Sequence, residues 1–272
     1  MAFSKLTMYS QKMHRTQDMI VFYPDPVDSK KIRRHGAKVP DGVFEYPVLY
    51  LLNGGGANYM DWPLQTGIQH YADEENTVIV TVTSNDRQCT MDYSGMTEFM
   101  GEELPKYIQY LFPVSKDREK TTIGGFSFGG YFAWRVGTLY AETFGTVASF
   151  SSPIDIITDL SIRPQEFYDL DELAKTDHNL LRLIRQKKEA GELLPRYFES
   201  FGDDTDMCFP VNKTAIAELN DILGNDNWYW IQGKGPHNLE TCDGLIKYYF
   251  AWVNNGYELP ANPYEAAFKR KW

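Results

Sequence analysis

Cysteine is scarce in this sequence: three thiols, Cys89, Cys208 and Cys242, stand far apart in 272 residues. They form no Cys-x-x-Cys pair and no zinc-ligand spacing, and their odd number points to reduced thiols and a cytoplasmic setting. Long apolar runs are also missing. None approaches the ~20 residues of a membrane-spanning helix, and residues 1–7 lack the apolar core of a secretion signal. Positive charge is in deficit. Lys and Arg total 27 against 37 Asp and Glu, a formal net charge of −10. That balance argues against nucleic-acid partners and against anionic membrane surfaces. There is no internal repeat, no low-complexity tract and no linker. A single domain spanning residues 1–272 is therefore expected.

What is present suits a large core: 43% of residues are hydrophobic and 15% aromatic. Two β-rich stretches, residues 3–10 and 18–24, open the chain. A polar loop with Lys30, Lys31, Arg33, Arg34 and His35 follows, read as a solvated loop. Residues 47–52 (PVLYLL) form a continuous apolar run, as expected of a strand buried on both faces. Residues 77–82, 121–123, 146–153 (a strand with its exit), 196–202 and 228–231 read as further strands. Helical patterns fill the spaces at 62–73, 96–112 (despite Pro105), 131–136, 171–188, 212–223 and 241–253. Strand–helix alternation of this kind implies a mostly parallel, doubly wound α/β sheet with helices on both faces. Residues 154–194 interrupt the alternation with a charged, irregular section, read as a cap or lid insertion.

The chemistry centres on Ile123-Gly124-Gly125-Phe126-Ser127-Phe128-Gly129-Gly130-Tyr131, which contains Gly125-x-Ser127-x-Gly129. A serine on a sharp strand-to-helix turn needs small residues two positions either side, because the turn crowds its neighbours. A serine hydroxyl becomes a nucleophile only when a base takes its proton, and the base needs a carboxylate to fix its tautomer. His237 supplies that base: it alone of the five histidines follows the serine and lies in a loop after a strand. His14, His35 and His70 precede the serine, and His178 falls in the insertion. The acid lies among Asp203, Asp204 and Asp206, in the order Ser…Asp…His. This cluster lacks the Gly and distal Glu of an EF-hand calcium loop. Asn53-Gly54-Gly55-Gly56, after the first buried strand, offers backbone N–H groups for an oxyanion, Gly55 first and Gly54 next. All these positions follow strands, so they converge on the carboxyl edge of the sheet.

Leu51-Leu52-Asn53-Gly54-Gly55 with Asp61-Trp62, Glu102-Glu103-Leu104-Pro105 and the glycine-flanked Ser127 together resemble the putative-esterase family of α/β-hydrolases. That family includes esterase D, tributyrin and acetyl esterases, and feruloyl and acetylxylan esterases. The resemblance implies the α/β-hydrolase fold, with Ser127 as nucleophile, His237 as base and the N–H groups of Gly55 and Phe128 as oxyanion hole. It selects Asp206 as the acid, six residues before Asn212. The sequence departs from the family at Asn53, where His is usual, at Phe126 and Phe128 beside the serine, and at Pro236, Asn238 and Leu239 around the histidine.

The expected function is a serine carboxylesterase acting on short-chain acyl esters, carbohydrate- or phenolic-linked ones among them. The alternatives are a thioesterase of the S-formylglutathione hydrolase type and a non-catalytic binding protein on the same scaffold. No metal and no organic cofactor is implied. The resemblance suggests a homo-oligomer.

Overall fold

A computed structural model describes residues 2–24, 45–84, 95–158, 169–224 and 227–258. The basic loop after Pro24, the segment with Asp86, Arg87, Cys89 and Tyr93, part of the insertion, and the tail after Glu258 lie outside these residues.

Eight strands form one sheet in the order β1-β2-β4-β3-β5-β6-β7-β8. Strands β1 (Ala2–Ser10) and β2 (Arg15–Tyr23) make an antiparallel hairpin, and β2 runs antiparallel to β4 (Val78–Val82). From β4 onward every pairing is parallel: β3 (Val48–Leu52), β5 (Thr121–Phe126), β6 (Thr146–Phe150), β7 (Arg196–Phe201) and β8 (Trp228–Gln232). All five residues of β3 and of β4 are buried, the reason they read as unbroken apolar runs rather than alternating ones.

Each face of the sheet carries its own apolar cluster. On one side Tyr50, Ile123, Phe132, Trp134 and Tyr197 pack together, with Trp134 and Tyr197 stacked at 4.4 Å. On the other, Leu49, Leu51, Trp62, Phe150, Phe198 and Trp252 do so. At about 25 cal/mol per Å2 of apolar surface removed from water, these two layers are the main stabilising term.

Helices α1 (Asp61–Gln65) and α2 (Ile68–Glu74) replace the single helix expected over 62–73. The break falls at Gly67, whose N–H donates to Asp243 Oδ1 at 2.7 Å, a tertiary bond that local sequence does not reveal. Helix α3 (Met96–Glu98) passes through a π turn (Phe99–Glu103) into α4 (Leu104–Leu111). Pro105 is accommodated there in the first turn of α4, where its missing N–H costs least. Glu103 accepts from Ser10 Oγ at 2.5 Å and Gln11 N at 2.7 Å, tying the helix to the β1–β2 turn. Helix α5 (Phe128–Leu139) leaves β5 directly. Within the insertion, α6 (Leu170–Leu173) and α7 (Leu180–Glu189) are separate helices, and α7 packs against α5 and against α8 (Cys208–Leu223). Helix α9 (Leu239–Asn254) completes the order. Among the described residues no helix is long and apolar enough to cross a membrane.

Candidate active site

Ser127 joins β5 to α5 with φ 55° and ψ −126°, a conformation that a non-glycine residue adopts only when its surroundings impose it. The surroundings are tight. A side-chain carbon at Gly125 would lie 2.5 Å from the Gly129 carbonyl carbon, and one at Gly129 would lie 2.2 Å from Asn53 O. Real Cβ contacts do not come that close, so glycine at both positions lets α5 press against the exit of β3. The strand that ends in Asn53-Gly54 and the strand that ends in Ser127 are thereby held side by side.

His237 lies in the loop between β8 and α9. Its Nδ1 is 2.9 Å from Asp206 Oδ1 and its Nε2 is 3.0 Å from Ser127 Oγ. Ser127 and His237 are partly exposed, whereas Asp206 is fully buried. Asp206 sits among donors. Oδ1 also accepts from Cys208 N at 3.1 Å, and Oδ2 accepts from Gly202 N at 2.8 Å and from Ser151 Oγ. Burial pushes this carboxyl's pKa up. His237, Ser151, Gly202 and Cys208 together outweigh it, so the net direction is down and the group is held ionised. A carboxylate can only accept, so Nδ1 carries the imidazole proton and Nε2 is left to accept from the serine hydroxyl.

The other acids of the cluster are placed differently. Asp203 Oδ2 accepts from Gly235 N at 2.8 Å, and Gly235 O accepts from Asp203 N at 2.9 Å. This two-way clamp ties the loop of the acid to the loop of the histidine. The side-chain hydroxyl of Thr205, with Gly235 N and Thr205 N, pulls the Asp203 carboxyl's pKa down. Asp204 is exposed.

The first N–H groups of α5, beginning at Phe128, have no carbonyl behind them within the helix. Across from them lies the Asn53–Gly56 turn. A Cβ at Gly54 would stand 3.5 Å from Ser127 Cβ, while Gly55 is exposed at the rim. Asn53 is buried and fills the place of the usual histidine with a network of its own. Its Nδ2 donates to Gly54 O at 2.8 Å and Ser84 O at 3.3 Å, and its Oδ1 accepts from Ser84 N at 2.7 Å. Trp62 Nε1 donates to Leu52 O at 2.8 Å, anchoring the same strand exit from the other side. The Phe126 ring lies 4.7 Å from the His237 ring and also faces Gly54.

Asp206, Cys208 and His237 also offer three potential metal-ligand atoms within 4.8 Å of one another. Both Asp206 oxygens are already taken up by protein donors, and its side chain has no exposed surface.

The family described as "Putative esterase" matches residues 40–172. An acetyl esterase from Caldicellulosiruptor saccharolyticus is 27% identical over 276 residues, spanning 93% of this chain and 98% of its own. The chain is thus similar to that esterase family of carboxylic-ester hydrolases. Among solved structures, the fluorophosphonate-binding serine hydrolase FphF of Staphylococcus aureus superposes with a TM-score of 0.77 at 20% identity, over 93% of this chain and 98% of that one. An S-formylglutathione hydrolase from Agrobacterium tumefaciens superposes with a TM-score of 0.71 at 16% identity, over 93% and 94%. These likenesses establish the α/β-hydrolase fold. Its sheet, antiparallel at the β1–β2 edge and parallel beyond it, is the architecture expected from the strand–helix alternation.

Two contributors to the site have no local sequence signal. Ser151 reaches the Asp206 carboxylate from 55 positions away, and Phe126 reaches the His237 ring from a distant part of the chain. Only the strand pairing brings them there.

Proposed function

We propose that this chain is a serine esterase that hydrolyses short-chain acyl esters through Ser127, His237 and Asp206. The observation that carries the reading is the occupation of both ring nitrogens of His237, by Asp206 at 2.9 Å and by Ser127 at 3.0 Å. Ser127 Oγ attacks the acyl carbonyl as His237 Nε2 takes its proton, and the buried Asp206 carboxylate stabilises the imidazolium. The carbonyl oxygen becomes an oxyanion, met by the N–H groups of Phe128 and Gly55. His237 then gives the proton to the departing alcohol, and the acyl group remains on Ser127. Water repeats the sequence in reverse, with His237 as base, and releases the acid. The partial exposure of Ser127 and His237 leaves both open to substrate. The acetyl esterase named above supports a short acyl group.

Hydrolysis of p-nitrophenyl acetate, butyrate and octanoate by the wild type and by Ser127→Ala tests the reading, together with labelling by a fluorophosphonate. The expected result is turnover and labelling that vanish in the variant, with rates falling as the acyl chain lengthens. Equal background rates in both proteins, with no label on Ser127, would leave a binding protein on a hydrolase scaffold.

A further inference from the structure

Glu199 lies in the middle of β7, in a strand otherwise suited to an apolar core, and has no exposed surface. Burying a carboxyl there is costly compared with a packed apolar side chain. Its two oxygens gather four hydrogen-bond partners from three directions. Oε2 accepts from Trp134 Nε1, on helix α5, at 3.0 Å, and is hydrogen-bonded to Ser149 Oγ in β6. Oε1 accepts from Ser200 N at 3.2 Å and from Ser152 N at 3.4 Å.

Ser152 belongs to the turn that leaves β6. Its neighbour Ser151 has φ 53°, in the left-handed region, and no exposed surface. That conformation is fixed on all sides. Ser151 N donates to Ser200 O at 2.6 Å, Asn212 Nδ2 donates to Ser152 O at 2.8 Å, and Asn212 Oδ1 accepts from Ile154 N at 2.8 Å. A non-glycine residue in this region persists only where its surroundings over-determine it. What the strained turn delivers is the Ser151 hydroxyl, which donates to Asp206 Oδ2, the oxygen turned away from His237.

We propose that Glu199 is a positioning residue for the active site: it holds the 151–154 turn from inside the sheet, and Ser151 carries that placement onto the Asp206 carboxylate. The inference rests on the reading of Ser127, His237 and Asp206 as the reacting row. Burial raises the Glu199 pKa to about 8 against the pull of its donors, so near neutral pH it holds its proton. As a neutral acid it can donate to Ser149 Oγ and still accept from Trp134, Ser152 and Ser200. The other titratable groups of this pocket are Asp206, with His237 beyond it, and Cys242 on α9. Cys242 has its thiol pKa pushed well up by burial and then by Asp206 and Glu199, with Asp243 adding to it.

Three variants test the proposal: Ser151→Ala, Glu199→Leu and Glu199→Gln. Each is measured for kcat and KM on p-nitrophenyl acetate, for fluorophosphonate labelling of Ser127, and for thermal midpoint. Alanine meets the same backbone strain as serine at φ 53°, so Ser151→Ala isolates the hydroxyl. The expected result is a kcat about tenfold lower with KM within about twofold, the size of a lost hydrogen bond to an ionised group. Glu199→Leu is expected to lose kcat in the same way. Glu199→Gln, which resembles the protonated acid in shape and in carrying no charge, recovers most of that loss. A Ser151→Ala kcat equal to wild type overturns the proposal, and it decides alone if Glu199→Leu does not fold. Glu199→Gln as impaired as Glu199→Leu also overturns it. A wild type that neither hydrolyses nor labels removes the Ser127 reading itself, and this inference with it.

Discussion

Arg135, wholly buried in helix α5, grips Asp177 of the insertion through both oxygens of the carboxylate. Its Nε and one terminal nitrogen reach Oδ1 at 3.1 and 3.0 Å, and that nitrogen reaches Oδ2 at 2.9 Å. The other terminal nitrogen donates to Thr97 Oγ1 at 2.7 Å. One residue on, His178 Nδ1 lies 3.0 Å from Tyr131 Oη, one turn earlier on the same helix. The insertion is therefore fastened to the helix that carries Ser127.

The fastening is expected to be asymmetric. Asp177→Ala takes this carboxylate away from a buried guanidinium, and breaking a buried pair costs about 3–5 kcal/mol. Asp177 keeps 30% of its side chain exposed, so water offsets part of the loss and the lower end applies. Arg135→Met removes the buried charge instead and is expected to cost less. Urea denaturation of both variants reads the difference. Equal costs, or a larger cost for Arg135→Met, would refute the asymmetry.

A second prediction concerns stability against pH. Glu199 has its pKa raised to about 8 by burial, against an ordinary carboxylate value in the unfolded chain. Between roughly pH 4.5 and 8 the unfolded chain releases this proton while the folded protein keeps it. The folded state then binds more protons, so stability falls as pH rises through this window and levels off above it. Every tenfold difference in proton affinity between the two states is worth about 1.4 kcal/mol, so the loss amounts to several kcal/mol. Asp206 works the other way at lower pH: its depressed pKa contributes stability above about pH 4 that is lost on acidification. Denaturation of wild type and Glu199→Gln at pH 5, 6.5 and 8 isolates the first effect. The Gln variant is expected to lose less stability across the window, and parallel curves would count against a protonated Glu199.

Much of this was legible in the sequence because the signal was local. Burial on both faces makes β3 and β4 continuous apolar runs, and the crowding around Ser127 demands Gly125 and Gly129. The unread parts depend on distant partners. Strand β2 begins at Arg15, not at 18, because Arg15 pairs with Ser10 across the hairpin. The helix expected over 171–188 divides into α6 and α7, with Asp177 and His178 left between them to reach Arg135 and Tyr131. Asp169 and Asn179 cap the two pieces. Helix α8 starts four residues before Asn212, where Asp206, just before its N-terminus, accepts from Cys208 N. Glu199, in a strand of aromatic residues, gives no local hint of Trp134, Ser149 or Ser152.

Asn53 yields the last prediction. A trans peptide is planar, so the Gly54 carbonyl and the Gly55 N–H point in opposite directions. Asn53 Nδ2 holds that carbonyl at 2.8 Å and thereby aims the N–H proposed to meet the oxyanion. Asn53→Ala frees the plane. Removing one oxyanion donor lowers kcat about 10²–10³-fold, and a loosened donor is expected to cost about 10². KM should change little, because this contact strengthens only as charge develops on the oxygen. The variant also strips the partner from the buried Ser84 N–H, at about 1–3 kcal/mol of stability. Asn53→Asp separates the two effects. It keeps an oxygen for Ser84 N–H but turns a second acceptor toward the Gly54 carbonyl, so kcat should fall further than stability does. Steady-state kinetics on p-nitrophenyl acetate beside urea midpoints make the comparison. If kcat in Asn53→Asp is within about twofold of wild type, the Gly54–Gly55 plane is held by something other than this amide, and Gly55 loses its argument as an oxyanion donor.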